Sequence, residues 1–247
     1  MQIQKYLDST YLKTPEQASL TKEETLSILK NLADEAIEND IFAVMIRPDF
    51  VKEIRNYLDK KKSEVKLGTV IGFPEGTFSE SEKIEEAKQA ISDGADELDF
   101  VINYESYKIG DIDLVKNEFI NCTSLTLKNK KIAKWIIEIA ALNEEQIVDL
   151  CERISTWAQE NFNQNQLDQI FIKSSTGFYK TENGKPNGAT FEGIKLMLEN
   201  SNGLPVKAAG GVKTYEDAVK MINLGVKRIG TSSAKALLNK TSTKGNY

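Results

Sequence analysis

The sequence predicts an α/β fold closed into a (β/α)8 barrel, a TIM barrel, and three observations predict it. Its 247 residues match the roughly 250 that such a barrel uses. Short apolar runs alternate with amphipathic segments along the chain, the pattern of a parallel sheet covered on both faces. No shift in composition marks a second domain, so residues 1–247 read as one barrel domain with a flexible tail over about 239–247. Eight strand–helix units in this length favour closure over an open doubly wound sheet.

A short amphipathic lead over residues 2–7 is expected to be helical and runs into a weakly patterned first strand at 6–13. Thr21 with Glu24 has the form of a capping box and opens a helix to Ala36, with Leu26, Ile28, Leu29, Leu32 and Ala33 at helical spacing. Residues 41–46 form a buried strand, and Pro48 suits the first turn of a helix ending near Lys60. The strand at 65–74 ends in a turn. Ser79 with Glu82 caps the next helix, and Gly94 stands where a helix is closed by glycine. A strand at 97–102, a helical region at 111–127, a strand at 134–139 and a helix at 144–161 follow. The polar run at 161–166 reads as a loop. Strands at 170–173, 206–209 and 228–233, each with its helix, complete the count.

Composition then narrows the chemistry. The chain has no histidine, which excludes histidine-based triads, histidine-bearing zinc sites and metal-dependent aldolases built on clustered histidines. No cofactor and no metal are expected. Cys122 and Cys151 supply neither a disulfide framework nor metal-ligand spacing, so a reduced cytoplasmic protein is the simplest reading. There is no run of about 18 apolar residues and no secretory-type start, so no membrane partner is expected. The formal charge of −5 argues against nucleic acid as the main partner.

Barrel active sites lie at the C-terminal ends of the strands, so inward polar residues there are the candidates. In the stretch 170–177, Phe171, Lys173 and Ser175 share one face. Asp99 shares a face with Glu97 and Val101, Glu138 with Lys134, and Lys207 lies in a small apolar strand. Each alone could be a paired structural ion, but two lysines in adjacent strands with acids across the barrel are harder to dismiss together, since buried charge is expensive unless paired or used. A second ammonium beside Lys173, together with desolvation, disfavours its protonated form. The free amine can then attack a carbonyl and form a Schiff base, an electron sink for the adjacent carbon–carbon bond. Asp99 can shuttle protons while Lys207 holds the network in register. Gly210-Gly211 and Gly230-Thr231-Ser232-Ser233 follow the last two strands, the common barrel location for a phosphate. No Gly-x-x-x-x-Gly-Lys-Ser/Thr loop is present, so nucleoside triphosphate hydrolysis has no support.

These residues resemble the deoxyribose-phosphate aldolase family, class I (Schiff-base) aldolases on a β/α barrel. The matches run in order: Val70-Ile71-Gly72-Phe73-Pro74-x-Gly76, Gly94-Ala95-Asp96-Glu97-Leu98-Asp99, Tyr107-Lys108-Ile109-Gly110-Asp111, Ile136-Ile137-Glu138, Ile172-Lys173-Ser174-Ser175-Thr176-Gly177, the stretch from Val206-Lys207-Ala208-Ala209-Gly210-Gly211 to Thr214, and Arg228-Ile229-Gly230-Thr231-Ser232-Ser233. The resemblance implies Lys173 as Schiff-base lysine, Lys207 as its pKa-lowering neighbour and Asp99 as proton-transfer acid. It implies a phosphate held by Gly177, Gly210, Gly211, Gly230, Ser232 and Ser233, with Thr176 and Lys213 beside them. The implied reaction is reversible cleavage of 2-deoxy-D-ribose 5-phosphate to D-glyceraldehyde 3-phosphate and acetaldehyde, within nucleoside catabolism. A homodimer is the assembly considered.

The chain departs from the family's pattern in places. Asp8-Ser9-Thr10 stands where the family has Asp-His-Thr, and Met45-Ile46-Arg47-Pro48 where it has Cys-Val-Asn-Pro. Phe178 stands where some members have a lysine, leaving backbone donors and Lys213 to hold the phosphate. Glu138 is counted as a supporting residue, as is Tyr247, if the tail folds over the mouth. Two other readings stay open: a different class I lyase of phosphorylated sugars, and a catalytically silent barrel that binds them. Retention of Lys173, Lys207 and Asp99 speaks against the second, because binding alone needs no neutral amine beside a cation.

Overall fold

The computed structural model describes residues 1–182 and 184–240. Among them, eight parallel strands close into a barrel in sequence order: β1 (Leu7–Thr10), β2 (Ala43–Ile46), β3 (Lys66–Ile71), β4 (Glu97–Val101), β5 (Ile132–Ile136), β6 (Ile170–Lys173), β7 (Val206–Ala209) and β8 (Arg228–Thr231). The first strand pairs with both β2 and β8, which is the closure. A helix follows each strand: α1 (Lys22–Glu38), α2 (Val51–Lys60), α3 (Glu80–Ser92), α4 (Ile112–Lys128), α5 (Glu144–Asn161), α6 (Phe191–Asn200), α7 (Tyr215–Leu224) and α8 (Ala234–Leu238). The expected barrel is therefore the observed one. The lead is a 3-10 turn at Ile3–Tyr6.

The hydrophobic core lies mainly between sheet and helices. Outward residues of the strands, such as Val44, Leu67, Leu98, Ile172 and Ile229, are almost wholly buried under the helix ring. Phe100 and Trp135, in register on β4 and β5, stack at 4.9 Å, and Phe119 of α4 tilts against Trp135 at 5.2 Å and Trp157 of α5 at 5.9 Å. Side chains of this size, fully buried, contribute about 1.5–3 kcal/mol each. The Trp135 indole N–H donates to Thr123 Oγ1 at 2.9 Å, so its polar atom is not stranded.

The capping chemistry read from sequence sets the helix starts. Thr21 Oγ1 accepts from the Glu24 N–H at 3.1 Å while Glu24 accepts from the Thr21 N–H at 2.8 Å. Ser79 with Glu82 and Asn143 with Gln146 repeat the arrangement at α3 and α5. Gly94, just beyond α3, has φ of 100° and lies where an added Cβ would meet the Arg55 side chain at 2.5 Å.

Several expected boundaries shift, the third strand ending at Ile71 and the eighth at Thr231. The first strand stops at Thr10, after which Thr14 caps a short helix, Pro15–Ala18. The polar run is not all loop: Asn163 and Gln166 form a capping box that starts a 3-10 helix over Gln164–Gln169. The fifth strand ends at Ile136, because Glu138 takes a left-handed conformation, φ 53°, ψ 68°. Of the tail expected from 239 onward, Lys240 lies over the Tyr215 ring at 4.9 Å. Residues 241–247, Tyr247 among them, lie outside the described residues.

Candidate active site

Several inward positions on β1, β4, β5, β6, β7 and β8 carry charge: Asp8, Glu97, Asp99, Lys134, Lys173, Lys207 and Arg228, all buried. Asp99, on β4, is fully buried and holds three amines. Lys134 Nζ approaches its Oδ1 at 2.7 Å, and Lys173 and Lys207 Nζ each donate to Oδ2 at 2.9 Å. Register explains the convergence: Asp99 pairs with Lys134 across β4 and β5, and Lys173 with Lys207 across β6 and β7. The sequence candidates Lys173, Asp99 and Lys207 are thus brought to a single carboxylate oxygen.

Protonation follows from these contacts. Burial pushes the Lys173 ammonium down; Asp99 opposes that and Lys207 and Lys134 add to it, leaving Lys173 at about 8. Lys207 is equally buried, but Asp8 and Asp99 together outweigh the desolvation and hold it above the ordinary lysine value. Burial acts to raise Asp99, yet Lys134, Lys173 and Lys207 hold it well below the usual carboxylate range. Two amines of the same residue type thereby take different states near neutrality, one labile and one fixed as a cation. Asp99→Asn would leave three buried ammonium groups without their common anion. We expect a loss of about 3–5 kcal/mol in stability, measured by urea unfolding at pH 7.

Below this cluster lies a second set of charges. Asp8 of β1 contacts Lys207 Nζ and Arg228 Nη1, each at 2.5 Å. Arg228 also pairs with Glu97, which meets Lys134 Nζ at 2.7 Å. Burial acts to raise Asp8, but Arg228 and Lys207 bring it to about 2. The sequence reading does not single out Asp8, Lys134 or Arg228, and uses Glu97 only for its parity with Asp99. Parity was the available signal for Lys134. Asp8 and Arg228 become partners only when the barrel closes between β1 and β8.

Glu138 stands beyond β5, where its backbone is left-handed and its carboxylate reaches the loop that follows β6. One oxygen accepts from both the N–H (3.0 Å) and the hydroxyl of Thr176. The other oxygen, like Ser175 Oγ, is buried with no hydrogen-bond partner among the described residues. Burial pushes Glu138 above the ordinary glutamate value. Gly177 has φ of 81° and its carbonyl accepts from Asn187 Nδ2 at 2.9 Å. The cleft at the ends of β7 and β8, about 420 Å³, is lined by Gly210, Gly211, Lys213, Ser232 and Ser233 among others. Thr176, Gly177 and Gly230 are not part of that lining. Gly230 instead faces the barrel interior, where a Cβ would lie 3.2 Å from Lys207 Cε.

The departures from the family's pattern fall at defined places. Ser9 has the opposite parity to Asp8 and Thr10, so it faces away from the charged interior. Met45 fills the space left by Gly68, where a Cβ would meet its sulfur at 2.3 Å. The Arg47 guanidinium donates to the carbonyls of Leu12 (2.7 Å) and Phe73 (3.3 Å) and lies over the Phe73 and Phe178 rings at 4.7 and 5.8 Å. Phe178 packs edge-on against Phe73 at 5.1 Å.

A buried amine poised near pH 8, beside a carboxylate that it shares with a second, fixed cation, is the equipment of a lysine-dependent aldolase. The similarities to known proteins specify the branch. The model of DeoC/LacD family aldolases matches residues 5–241, and the chain belongs to that family. It is 38% identical over 240 residues to the deoxyribose-phosphate aldolase of Caldicellulosiruptor saccharolyticus, covering 96% of this chain and 97% of that one. The enzyme of the same name from Thermococcus gammatolerans is 40% identical over 234 residues, 94% and 93% of the two chains. Among solved structures, the aldolase QR15 superposes with a TM-score of 0.76 at 34% identity, covering 96% of each chain. The tetrameric deoxyribose phosphate aldolase of Aeropyrum pernix gives 0.77 at 26% identity, covering 96% of this chain and 89% of that one.

Proposed function

We propose that this chain is a deoxyribose-phosphate aldolase that reversibly cleaves 2-deoxy-D-ribose 5-phosphate through a Schiff base on Lys173. The observation that carries this reading is the shared oxygen of Asp99, 2.9 Å from both Lys173 and Lys207. The neutral Lys173 amine adds to C1 of the open-chain sugar, and the resulting carbinolamine takes up a proton and loses water to form a protonated imine. The C2–C3 bond then breaks as a base takes the proton of the C3 hydroxyl; the electron pair moves into the imine and D-glyceraldehyde 3-phosphate leaves. Protonation of the enamine at C2 and hydrolysis release acetaldehyde and the free lysine. Asp99 is placed to relay protons with Lys207, because one of its carboxylate oxygens lies 2.9 Å from both the nucleophile and the Lys207 amine. The substrate phosphate is assigned to the cleft after β7 and β8, where Gly210, Gly211, Ser232 and Ser233 present backbone and hydroxyl groups and Lys213 a charge. Thr176 and Gly177, steadied by Glu138, connect that cleft to the lysine.

Cleavage of deoxyribose 5-phosphate, compared with ribose 5-phosphate and unphosphorylated deoxyribose, tests the reading. No turnover of the first would remove it. Ser232 is exposed on the cleft, so Ser232→Asp is expected to fold normally while opposing the phosphate. We expect KM for deoxyribose 5-phosphate to rise about 10–100-fold, the equivalent of roughly 1.4–2.8 kcal/mol, with turnover of free deoxyribose unchanged. Equal loss on both sugars would move the phosphate elsewhere.

The reading extends to setting and assembly. Both cysteines are unpaired and buried, which supports a reduced, cytoplasmic location, and no helix among the described residues is long and apolar enough to cross a membrane. Association into a homodimer is part of the proposal, and light scattering decides it.

A further inference from the structure

Followed contact by contact, the buried charges close on themselves. Asp99 Oδ1 meets Lys134 Nζ at 2.7 Å, and Lys134 meets Glu97 Oε2 at 2.7 Å. Glu97 Oε1 pairs with Arg228 Nη2, and Arg228 Nη1 meets Asp8 Oδ1 at 2.5 Å. Asp8 Oδ2 meets Lys207 Nζ at 2.5 Å, and Lys207 returns to Asp99 Oδ2 at 2.9 Å. Six side chains from β1, β4, β5, β7 and β8 thus alternate anion and cation around the barrel interior. Lys173 of β6 is attached to this ring at Asp99 but is not a member of it. Phe42 closes the arrangement at Arg228, whose guanidinium lies 3.5 Å from the ring centroid.

We propose that Glu97 and Arg228, which touch none of the reacting groups, are positioning residues for the aldol step: they complete a charge-balanced ring that fixes Asp99 and Lys207 and has no place for a fourth cation, so that Lys173 is favoured as the neutral amine. The inference rests on the assignment of Lys173 as nucleophile. Three carboxylates and three cations cancel, and a proton on Lys173 leaves the interior with one unmatched charge. Such charge is far more expensive to hold in a dry interior than in water. The ring also explains why an amine so near Asp99 is not simply kept protonated: each Asp99 oxygen already serves a ring cation. Gly230 fits the same account, since it leaves the space through which the Lys207 side chain passes.

The ionisable groups facing Lys173 are Asp99 on β4, Lys134 on β5, Glu138 beyond β5 and Lys207 on β7, with Asp8, Glu97 and Arg228 behind them. Glu138 lies outside the ring on Thr176 and is common to all variants below, so its own titration cancels in comparison. Removing one ring anion should make Lys173 easier to deprotonate, and removing one ring cation should make it harder.

The test is the pH dependence of kcat/KM for deoxyribose 5-phosphate in Glu97→Gln, Arg228→Met and the double variant. Glu97→Gln should move the acid limb down by about one pH unit, Arg228→Met should move it up by a similar amount, and the double variant should return it close to the wild-type position. Shifts of the same sign, or reduced rates with an unmoved limb, would overturn the proposal, because loss of packing alone does not reverse with charge. Should either single variant fail to fold by circular dichroism, Glu97→Asp and Arg228→Lys decide instead. Both retain every charge, so the limb must stay in place while kcat falls; a displaced limb or an unchanged kcat refutes the assignment. Acetaldehyde and borohydride trapping on wild-type Lys173, read by peptide mass mapping, keeps the two questions apart. Absence of that adduct removes the nucleophile assignment, whereas its presence with unshifted limbs removes the ring's role alone.

Discussion

Lys173→Leu is expected to lower kcat/KM by more than about 10⁴-fold while leaving the fold intact and more stable near neutral pH. No other amine in the cluster can take over. Lys207 is held above its ordinary value between Asp8 and Asp99, and Lys134 is engaged by Glu97 and Asp99. Stability moves the other way because Lys173 is lowered from 10.5 to about 8 on folding. The unfolded chain binds its proton more tightly, so wild-type stability rises with pH between about 8 and 10.5. Below that window the folded state bears a charging penalty on the order of 3 kcal/mol, and the leucine variant does not. Urea unfolding at pH 6.5 and 10 checks this: the advantage of Lys173→Leu should be largest at pH 6.5 and shrink toward pH 10. Retained turnover would place the nucleophile elsewhere, and a variant less stable at pH 6.5 would contradict the lability assigned to Lys173.

The alternation of apolar strands with capped helices was legible residue by residue. Capping boxes such as Thr21 with Glu24 are local chemistry, as is the burial of strands such as 41–46 and 206–209. The nucleophile strand was legible too, because a lysine flanked by Ile170, Phe171 and Ile172 has to be explained by use or by pairing. What remained hidden depends on closure. Asp8 is separated from Arg228 by nearly the whole chain, and they meet only because β1 pairs with β8. Asp8, Ser9 and Thr10 make the first strand look weak for the same reason: two of the three face the polar interior instead of the core. Glu138 was visible as an inward acid but not as a residue with positive φ, since strand parity presumes that the strand continues. Its backbone leaves the ladder where Ile137 and Ile139 donate to the carbonyls of Lys173 and Ser174. The carboxylate then reaches Thr176, on the loop joining the lysine to the cleft.

The second large effect is expected at Lys207, and it separates an electrostatic role from a structural one. Lys207→Leu removes a cation that lowers Lys173 and that also holds Asp8 and Asp99 in contact. Both carboxylates keep another partner, Arg228 for Asp8 and Lys134 with Lys173 for Asp99, so the barrel should persist. The field at Lys173 then comes mainly from Asp99, which favours its protonated form, and the acid limb of kcat/KM should move upward from about pH 8. Loss of the proton relay lowers the plateau as well, by about 10²–10⁴-fold, the usual range for a general acid–base partner. The two consequences are separable by measurement. Borohydride trapping of acetaldehyde on Lys173 should still occur, but more slowly at pH 7 than in the wild type, and the difference should narrow as pH rises past 9. A plateau reduced by the same factor at every pH would show that Lys207 acts on proton transfer alone. A trapping rate unaffected at pH 7 would show that desolvation, not the neighbouring ammonium, makes Lys173 labile.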